Sequence, residues 1–487
     1  MVSNRLPVAI TRGDTGNWQV QISPGGLVTA LDPLLRGRGG LWIGWSGTLE
    51  RADLDELLAA TVKDLGYTLK PVSLTREEVN HYYFGFSNEI IWPLFHDLQT
   101  RCNFDPAYWN AYQAVNRKFA QVVAENTTVN DYIWVHDYHL MLVAKELHRM
   151  GVESKLGFFL HIPFPSPDIC AKLPWQARIL EALLEYDVVG FQTRRDRQNF
   201  LNCIESISKG LRVDARRKIS TITTADRVIG IGSFPISIDF RDFARQAASE
   251  VVAEAAKQLR EAMPNQQIAL GVDRLDYSKG IPEKLRAFRY ALEHHNDLRG
   301  RIVLIQIVVP SREDIPEYQS LRNEIEGLVS EINREFTQLG WIPIHYMFQN
   351  YARNELLAYY RAADIALITP LKDGMNLVAK EYCAANIEKS GVLILSQFAG
   401  AATQLGRYSL LVNPYDIEGV SDAIHRAYSM GMDDRQWRMR KLRNSVARRD
   451  VFWWVDSFLQ TTITKGVNNS ETRVRRNFTS IQENELR

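Results

Sequence analysis

The stretch Ile268-Ala-Leu-Gly-Val-Asp-Arg-Leu-Asp-Tyr-Ser-Lys-Gly-Ile-Pro282 decides the fold class of this chain of 487 residues. It begins with an apolar run typical of a buried strand. Pro282 then opens a helical pattern, since proline favours the first turn of a helix. Arg274 and Lys279 are therefore predicted on a loop that leads from a strand into a helix. A strand followed directly by a helix is the unit from which parallel sheets are built.

The same alternation continues along the C-terminal half. Apolar runs of strand length occur at 268–272, 302–309, 343–348, 364–368, 392–395 and 409–412. Helical patterns occur near 282–295, 314–337, 353–362, 376–387 and 416–430. The N-terminal half repeats the pattern with longer insertions, and it predicts strands at 41–45, 132–135, 156–160 and 187–192 and helices near 106–125 and 139–150. The predicted fold class is therefore α/β, with parallel sheets covered by helices on both faces.

Two domains are expected, with a boundary near Asp239. The stretch Phe240–Met263, rich in Ala, Glu and Arg, is predicted as one helix that leads from residues 1–239 to residues 240–450. From residue 466 the chain is polar and charged, so residues 466–487 are predicted to be a disordered tail. The start, Met1-Val-Ser-Asn-Arg5, resembles the end of a strand whose beginning is missing, which leaves an upstream start site open.

Composition argues against several classes of protein. Basic and acidic residues number 58 and 57, so the net charge of +1 gives no reason to expect nucleic acid or an anionic membrane as a partner. Four scattered cysteines indicate reduced core residues rather than a disulfide framework. No apolar run approaches the roughly 20 residues that span a bilayer, and no signal peptide is evident, so a cytoplasmic protein is expected. His136 and His139 lack an evident third ligand, so no metal site is predicted.

A second motif, Asp373-Gly-Met-Asn-Leu-Val-Ala-Lys-Glu-Tyr382, follows another apolar run and precedes a helix start. Amides at a helix N-terminus suit a phosphate, and Arg274 with Lys279 would add two cations at the same edge of the sheet. Leu377 and Glu381 are one helical turn apart, so Glu381 could accept from the hydroxyls of a ribose. Each cation taken alone is more often a surface charge, but together they predict a site for a nucleotide diphosphate.

Several longer motifs resemble the trehalose-6-phosphate synthase family. Besides the two loops above they are Ser3-Asn-Arg-Leu-Pro7, Gly39-Gly-Leu-Trp-Ile-Gly-Trp-Ser46, Val135-His-Asp-Tyr-His-Leu140, Phe159-Leu-His-Ile-Pro-Phe-Pro165 and Leu395-Ser-Gln-Phe-Ala-Gly400. The resemblance spans about residues 2 to 465. It implies the GT-B fold, in which an N-terminal acceptor-binding domain and a C-terminal nucleotide-sugar-binding domain, both Rossmann-like and doubly wound, face each other across a cleft. It also implies a last helix, about residues 451–465, that returns to the first domain.

The resemblance assigns site residues by position. The implied donor-binding residues are Gly25, Gly26, Arg274, Lys279, Leu377, Val378 and Glu381. The implied acceptor-binding residues are Arg5, Tyr83, Trp92, Asp137 and Arg312. The implied catalytic residues are Arg274, Lys279, Asp373 and His161, of which His161 would contact the donor sugar. Neither a metal nor a cofactor is implied, and taken alone Tyr83, Trp92 and His161 would more often be core residues.

The activity implied by the resemblance is transfer of glucose from a nucleotide sugar, UDP-glucose above all, to glucose 6-phosphate with retention of configuration. The resemblance implies a front-face route, and no carboxylate nucleophile paired with an acid is evident in the matched motifs. Another phosphorylated acceptor such as glycerol 3-phosphate, GDP or ADP as the nucleotide, and a non-catalytic regulatory homologue remain alternatives.

Some features of the sequence bear on its partners and its departures from the family. No Asp-x-Asp motif occurs near the C-terminus, so a separate phosphatase is expected to act on the product, and a homo-oligomer is left open. Ser237 stands where family members commonly have glycine. Whether this serine changes the activity or the choice of substrate is left open. A dehydrogenase is disfavoured, since no G-x-G-x-x-G follows a predicted strand.

Overall fold

The computed structural model describes residues 1–12, 18–22, 28, 31–32, 35–37, 39–49, 58, 65–207, 211–215, 219–311 and 316–462. The contacts divide the chain into two compact units. Unit 1 comprises Met1–Phe234 and the segment that begins at Phe452, and unit 2 comprises Pro235–Val451. The two chain crossings between units lie within a few residues of the predicted positions 239 and 451.

Unit 1 is built on a nine-stranded sheet. Its strands and those of a separate hairpin are, in chain order, β1 (Val2–Arg5), the hairpin strands β2 (Val8–Arg12) and β3 (Trp18–Ile22), β4 (Leu41–Trp45), β5 (Thr68–Val72), β6 (Tyr132–His136), β7 (Lys155–Phe159), β8 (Val188–Phe191), β9 (Arg212–Asp214), β10 (Ser220–Thr223) and β11 (Val228–Ser233). The spatial order is β5-β4-β1-β6-β7-β8-β11-β10-β9, with the first seven strands parallel. The order reverses between β1 and β6, and ligands bind at such a switch point in open α/β sheets.

One continuous helical stretch of unit 1 covers residues 76–95. Its central part, Val79–Ile91, is a π-helix, and the Trp92 amide donates to Ser87 O, five residues back. π-Turns are rare and often mark functional sites. From residue 76 onward the described helical segments are Arg76–Glu78, Val79–Ile91, Trp92–Phe95, Gln99–Arg101, Pro106–Asn126, Tyr138–Leu140, Val143–Arg149, Pro167–Cys170, Gln176–Leu183, Arg194–Ile207 and residues 451–462, of which 452–462 belong to unit 1.

The segment 452–462 packs on the parallel sheet of unit 1. Trp454 donates its indole N–H to Phe234 O at 3.0 Å. Phe458 stacks on Trp134 of β6, with ring centroids 4.5 Å apart. Buried aromatic rings therefore hold the end of the described chain on the same unit as its beginning. None of the described helices is long and apolar enough to cross a bilayer.

Unit 2 contains a six-stranded sheet that is parallel throughout. Its strands are β12 (Gln267–Arg274), β13 (Ile302–Val309), β14 (Ile344–Phe348), β15 (Ile365–Ile368), β16 (Val392–Ser396) and β17 (Leu410–Val412). The order β14-β13-β12-β15-β16-β17 is that of a doubly wound sheet, with its switch point between β12 and β15. All six strands match predicted runs to within a few residues, so the predicted parallel sheet is confirmed.

The helices of unit 2 cover this sheet. They are Phe240–Ala247, Glu250–Glu261, Tyr277–Lys279, Ile281–His294, Asn296–Leu298, Pro316–Phe336, Arg353–Ala362, Val378–Ala385, Ala402–Leu405, Ile417–Tyr428 and Met432–Arg448. The prediction of one helix over Phe240–Met263 is wrong. Ser249 adopts an extended backbone (φ −63°, ψ 151°) and separates two helices, a break that the uniform Ala-rich composition conceals.

The predicted helix near 139–150 is also shorter than expected. Tyr138–Leu140 form a 3₁₀ turn, and the α-helix begins only at Val143. The helix Pro106–Asn126, in contrast, begins where predicted, because the Asp105 carboxylate accepts the Ala107 amide and Pro106 occupies the first turn.

Candidate active site

In unit 2, Lys279 and Asp373 meet at the switch point of the sheet. Arg274 ends β12, Lys279 lies in the 3₁₀ turn that follows, and Asp373 lies in the loop after β15, the strand paired with β12. Lys279 Nζ donates to Asp373 Oδ2 at 2.6 Å. Two loops that are about a hundred residues apart in sequence are thus joined by an ion pair.

Asp373 also orders the start of the helix Val378–Ala385. Its Oδ1 accepts the Met375 amide at 3.1 Å, and its Oδ2 accepts the Asn376 side-chain amide at 3.3 Å. Asn376 in turn accepts the Ala379 amide, with its backbone in the left-handed region at φ +61°. Asparagine tolerates this conformation better than most residues. The carboxylate that pairs with Lys279 therefore also fixes the turn in front of the helix.

A buried ionic cluster supports the end of β12. Lys284 Nζ lies 2.5 Å from Asp273 Oδ2, which also accepts from Gln306 Nε2 at 3.0 Å. A Cβ on Gly271 would lie 2.2 Å from Gln306 Oε1, so the cluster requires glycine at that position. Sequence reasoning missed the cluster, although a lysine on an otherwise buried helix face was a usable signal.

Glu381 lies one turn into the helix, as predicted. Its amide donates to Leu377 O at 2.9 Å, and its Oε2 accepts from the Tyr360 hydroxyl at 2.9 Å. Burial raises the pKa of Glu381 above its usual value. Within the described residues Oε1 accepts no hydrogen bond, which leaves an acceptor for a ligand hydroxyl. The role of Tyr360 was not predicted.

Lys380, next to Glu381, points into the interior of unit 2. Its Nζ donates to Ile236 O at 2.5 Å and to Gln404 Oε1 at 2.8 Å. Burial lowers the pKa of Lys380 to about 7. Ser237, beside Ile236, is fully buried, and its hydroxyl has no hydrogen-bond partner among the described residues. The residue that departs from the family pattern thus lies next to the carbonyl that holds Lys380.

In unit 1, Arg5 ends β1 at the switch point of the nine-stranded sheet. Its guanidinium lies over the Trp45 ring, 4.0 Å from the centroid, and 5.7 Å from that of Tyr83. Gly47 has φ +88°, and a Cβ there would lie 1.9 Å from Arg5 Nη1. No carboxylate of the described residues pairs with Arg5, so the held guanidinium is available to an anion.

The π-helical stretch carries Tyr83, and Trp92 follows it. Tyr83 is half-buried and stacks on His139, with centroids 5.9 Å apart and an interplanar angle of 12°. Trp92 is buried, and its ring lies 5.9 Å from that of Tyr138. Both predicted aromatic residues therefore adjoin the loop after β6.

Asp137 follows β6 with a backbone that only glycine adopts readily, φ +74° and ψ 168°. Its amide donates to Phe159 O at 2.8 Å, and its Oδ1 accepts the His161 amide at 3.2 Å. A non-glycine residue persists in this conformation only where the surroundings enforce it, and such residues cluster at active sites.

His161 pairs with a second histidine. His136 Nδ1 and His161 Nε2 lie 3.1 Å apart, and both rings are buried. Burial lowers the pKa of His161 to about 3 and that of His136 well below its usual value, so both rings are neutral. His136 was weighed only as a metal ligand. The described residues form no group of three or more metal-ligating side chains.

Three predicted site residues, Gly25, Gly26 and Arg312, lie outside the described residues, as does the predicted tail 466–487. The remaining predicted residues divide between the units. Arg274, Lys279, Asp373, Leu377, Val378 and Glu381 adjoin the switch point of unit 2. Arg5, Tyr83, Trp92, Asp137 and His161 adjoin that of unit 1.

Two doubly wound parallel-sheet units, each with polar loops at its switch point, define the architecture of a GT-B glycosyltransferase. The chain matches the family model of glycosyltransferase family 20 over residues 1–463, and it belongs to that family.

It is 42% identical to the trehalose-6-phosphate synthase of Mycolicibacterium vanbaalenii over 470 residues, 96% of each chain. Among solved structures it is similar to the UDP-forming α,α-trehalose-phosphate synthase of Burkholderia xenovorans in complex with glucose-6-phosphate, at 34% identity and a TM-score of 0.85, covering 95% of this chain and 98% of that one. An E. coli structure bound with UDP-2-fluoro glucose has 36% identity and the same TM-score and coverage. The predicted family, α/β fold and glycosyltransferase class are confirmed.

Proposed function

We propose that the protein transfers glucose from UDP-glucose to glucose 6-phosphate, forming α,α-trehalose 6-phosphate and UDP with retention of configuration and without a metal ion. The names of the relatives support this activity, since they are trehalose-6-phosphate synthases and one solved relative holds glucose-6-phosphate. The observation that carries the proposal is the position of Lys279 Nζ, which the carboxylate of Asp373, in the loop before the helix that begins at Val378, holds at 2.6 Å.

Unit 2 would bind the donor. Arg274 and Lys279 would contact the diphosphate, because preorganised cations stabilise the charge that develops on a leaving group. The amides of Leu377 and Val378 would add the positive end of the helix dipole. Oε1 of Glu381 would accept from a ribose hydroxyl. Gly25 and Gly26 would permit close approach of the backbone to the diphosphate.

Unit 1 would bind the acceptor. The Arg5 guanidinium suits a phosphate because its paired N–H groups can reach two oxygens at once. Tyr83 adjoins it, and Trp92 and Arg312 would complete the acceptor site, Arg312 as a second cation. Asp137 would accept from hydroxyls of the acceptor sugar, and its enforced backbone would set the direction of the carboxylate.

The reaction would follow a front-face route. The anomeric hydroxyl of glucose 6-phosphate attacks C1 of the donor glucose on the face from which UDP leaves, the C1–O bond to the diphosphate breaks, and the hydroxyl proton passes to the departing oxygen. The enzyme then has to position both substrates and stabilise the leaving charge. Lys279, oriented by Asp373, and Arg274 would stabilise the charge on the departing diphosphate. His161 would contact the transferred sugar.

The proposal also covers what happens to the product and where in the cell the enzyme acts. A separate phosphatase would remove the phosphate from the product, since no Asp-x-Asp motif occurs near the C-terminus of this chain. The enzyme would act in the cytoplasm, where both substrates are intermediates of sugar metabolism.

The test is to incubate the protein with UDP-, GDP- and ADP-glucose, each with glucose 6-phosphate or glycerol 3-phosphate, and to identify products by mass and anomeric coupling. We expect a non-reducing disaccharide phosphate with two α-linkages, formed fastest from UDP-glucose and glucose 6-phosphate. A Lys279→Ala preparation is the inactive control. Faster transfer to glycerol 3-phosphate, or a product with a β-linkage at the transferred sugar, would refute the proposal.

A further inference from the structure

Tyr360 donates the one hydrogen bond that the Glu381 carboxyl accepts from the described residues. The tyrosine lies near the end of the helix Arg353–Ala362, and Glu381 lies in the first turn of Val378–Ala385, with β15 between the two helices in sequence. The Tyr360 hydroxyl is 2.9 Å from Glu381 Oε2. Tyr360 is only 1% exposed, whereas Glu381 keeps part of its surface exposed. One oxygen of a carboxyl that still reaches solvent is therefore held by a buried side chain.

The direction of this hydrogen bond is fixed by the chemistry of the two groups. Burial and the neighbouring carboxylate of Glu381 raise the pKa of Tyr360 well above its usual value, so the phenol keeps its proton. An ionised carboxylate has no hydrogen to donate, and Tyr360 is therefore the donor and Oε2 the acceptor. Oε1 accepts no hydrogen bond within the described residues, which makes it the oxygen left for a ligand.

The same hydrogen bond favours the charged form of Glu381. Burial raises the pKa of this carboxyl, and the hydrogen bond from Tyr360 and the guanidinium of Arg353 lower it. Arg353 is 42% exposed and donates to Asp242 at 2.7 Å, so solvent and a second carboxylate both reduce its effect on Glu381. The buried tyrosine is therefore the main group in the protein that opposes the effect of burial.

Other charged groups on the elements around the helix Val378–Ala385 are bonded elsewhere. The pairs are Asp242 with Arg245 and Arg353, Asp273 with Lys284, Asp364 with Arg260, Lys279 with Asp373, Lys380 with Ile236 O, and Arg443 with the carbonyls of Cys383, Ala384 and Asn386. None of these bonds involves Glu381. The protonation of its carboxyl therefore depends on Tyr360 more than on any of these charged neighbours.

We propose that Tyr360 is a positioning residue of the donor site, whose hydroxyl holds Oε2 of Glu381 and thereby presents Oε1, on an ionised carboxylate, to a hydroxyl of the nucleotide's ribose. A carboxylate accepts a hydrogen bond more strongly than a carboxylic acid does, because the acceptor is charged. The pair thus sets how strongly the site distinguishes a ribose from a sugar that lacks its two hydroxyls. This inference rests on the proposed function for the presence of a nucleotide, but the effect of Tyr360 on the Glu381 carboxyl does not.

Calorimetric titration with UDP and with 2′,3′-dideoxy-UDP, which keeps the base and the phosphates, measures this discrimination. Wild type should bind UDP at least about tenfold more tightly than the analogue. Tyr360→Phe removes only the hydroxyl and should lower that ratio by about fivefold, with little change in the affinity for the analogue. Tyr359→Phe is the matched control, because the hydroxyl of this preceding residue contacts Met347 and Tyr351 instead. An unchanged ratio in Tyr360→Phe would overturn the inference.

The ratio should also depend on pH, which a purely structural role of Tyr360 would not produce. Because the hydrogen bond lowers the pKa of Glu381, its loss raises that pKa, and the carboxyl becomes protonated at a higher pH. The preference for UDP should fall in wild type as the pH is lowered, and in Tyr360→Phe the fall should begin at a higher pH. The two ligands share their phosphates, so the titration of the ligand cancels in the ratio. Coincident curves for wild type, Tyr359→Phe and Tyr360→Phe would contradict the positioning role.

A measurement without ligand separates this inference from the proposed function. NMR of protein labelled with ¹³C at the glutamate carboxyls follows the titration of Glu381, whose signal is assigned by its loss in Glu381→Gln. We expect a higher pKa for Glu381 in Tyr360→Phe than in wild type. Equal values in a protein that transfers glucose would refute only the inference drawn here. The expected shift and the expected preference for UDP in a protein that transfers no glucose would refute only the proposed function.

Discussion

Lys279 Nζ lies 2.6 Å from Asp373 Oδ2, with the two side chains only 11% and 12% exposed. A pair this shielded is weakened little by salt, and its geometry is maintained by the hydrogen bonds from Met375 and Asn376 to the same carboxylate. The pair therefore holds a cation in place before any substrate arrives. Preorganisation of this kind is what stabilisation of a leaving group requires.

Replacing either Arg274 or Lys279 by alanine should slow the reaction severely. Loss of one preorganised donor typically costs roughly 10²–10³ in kcat, and we expect at least that for Arg274→Ala and for Lys279→Ala. Lys257→Ala is the control, because Lys257 is 64% exposed on the helix Glu250–Glu261. Near wild-type kcat in either of the first two variants would contradict the charge-stabilising role.

Gly47 should matter for acceptor binding through Arg5. A Cβ at Gly47 would collide with Arg5 Nη1, so Gly47→Ala should displace the guanidinium and raise the KM for glucose 6-phosphate by about 10-fold or more, as Arg5→Gln should. Gly151→Ala is a matched control: Gly151 also has a positive φ, +79°, but nothing lies within 4 Å of a Cβ there. An unchanged KM in Gly47→Ala would show that Arg5 does not bind the phosphate.

At position 137, glycine should give a more stable protein than alanine, which is the reverse of their usual order. At most sites glycine is the less stable of the two, but a Cβ at φ +74° costs about 1–2 kcal/mol. Asp137→Gly should therefore have a larger free energy of unfolding than Asp137→Ala by about that amount, while both lose activity because both lack the carboxylate. Denaturant titration with product assays tests this. A more stable Asp137→Ala would mean that the backbone is relaxed.

Lys380 should make stability depend on pH in a defined direction. Its pKa falls from 10.5 in the unfolded chain to about 7 in the folded protein, so between these values the unfolded state binds the extra proton. The contribution of Lys380 to the free energy of unfolding should thus rise with pH from 7 to 10, by at most about 1.4 kcal/mol per pH unit, and be lost as pH falls toward 7.

The measurement is the difference in free energy of unfolding between wild type and Lys380→Met at pH 7, 8 and 9. We expect this difference to shift in favour of wild type as pH rises. Lys257→Met, a change at an exposed lysine, should give a curve parallel to that of wild type. Parallel curves for Lys380→Met as well would refute the depressed pKa.

Chelation of divalent metals should leave the activity largely intact. Arg274, Lys279 and the helix N-terminus at Leu377 are proposed to supply the positive charge that a metal supplies in other transferases. Initial rates after dialysis against EDTA, with and without added Mg²⁺, test this. A strict requirement for the added metal would refute the metal-free mechanism.

Much of the fold of unit 2 was predictable because its strands are continuous apolar runs. Ile302–Val309 is buried along nearly its whole length, and such a run between turn signals has few other interpretations. In unit 1 the strands β2, β3, β5, β9, β10 and β11 were not predicted. Of these, β9 (Arg-Val-Asp) is an edge strand and β10 (Ser-Thr-Ile-Thr) pairs with it; both are short and carry polar residues, so no apolar run marks them.

The site residues that belong to a local sequence motif were predictable, and those that reach the site only through long-range packing were not. Arg274 and Lys279 were found because a charged loop between a strand and a helix is visible locally. Tyr360, which donates to Glu381, and His136, which contacts His161, are 21 and 25 residues from their partners, and only the fold brings them together. Such contacts leave no periodic pattern in the local sequence.

The central claim is that the diphosphate of the donor is bound by Arg274, Lys279 and the helix that begins after Leu377. A crystal structure with UDP bound tests it most directly. We expect phosphate oxygens within about 3 Å of both cations and of at least one amide at Leu377 or Val378, with a ribose hydroxyl on Glu381. Phosphates bound away from both loops would contradict the account.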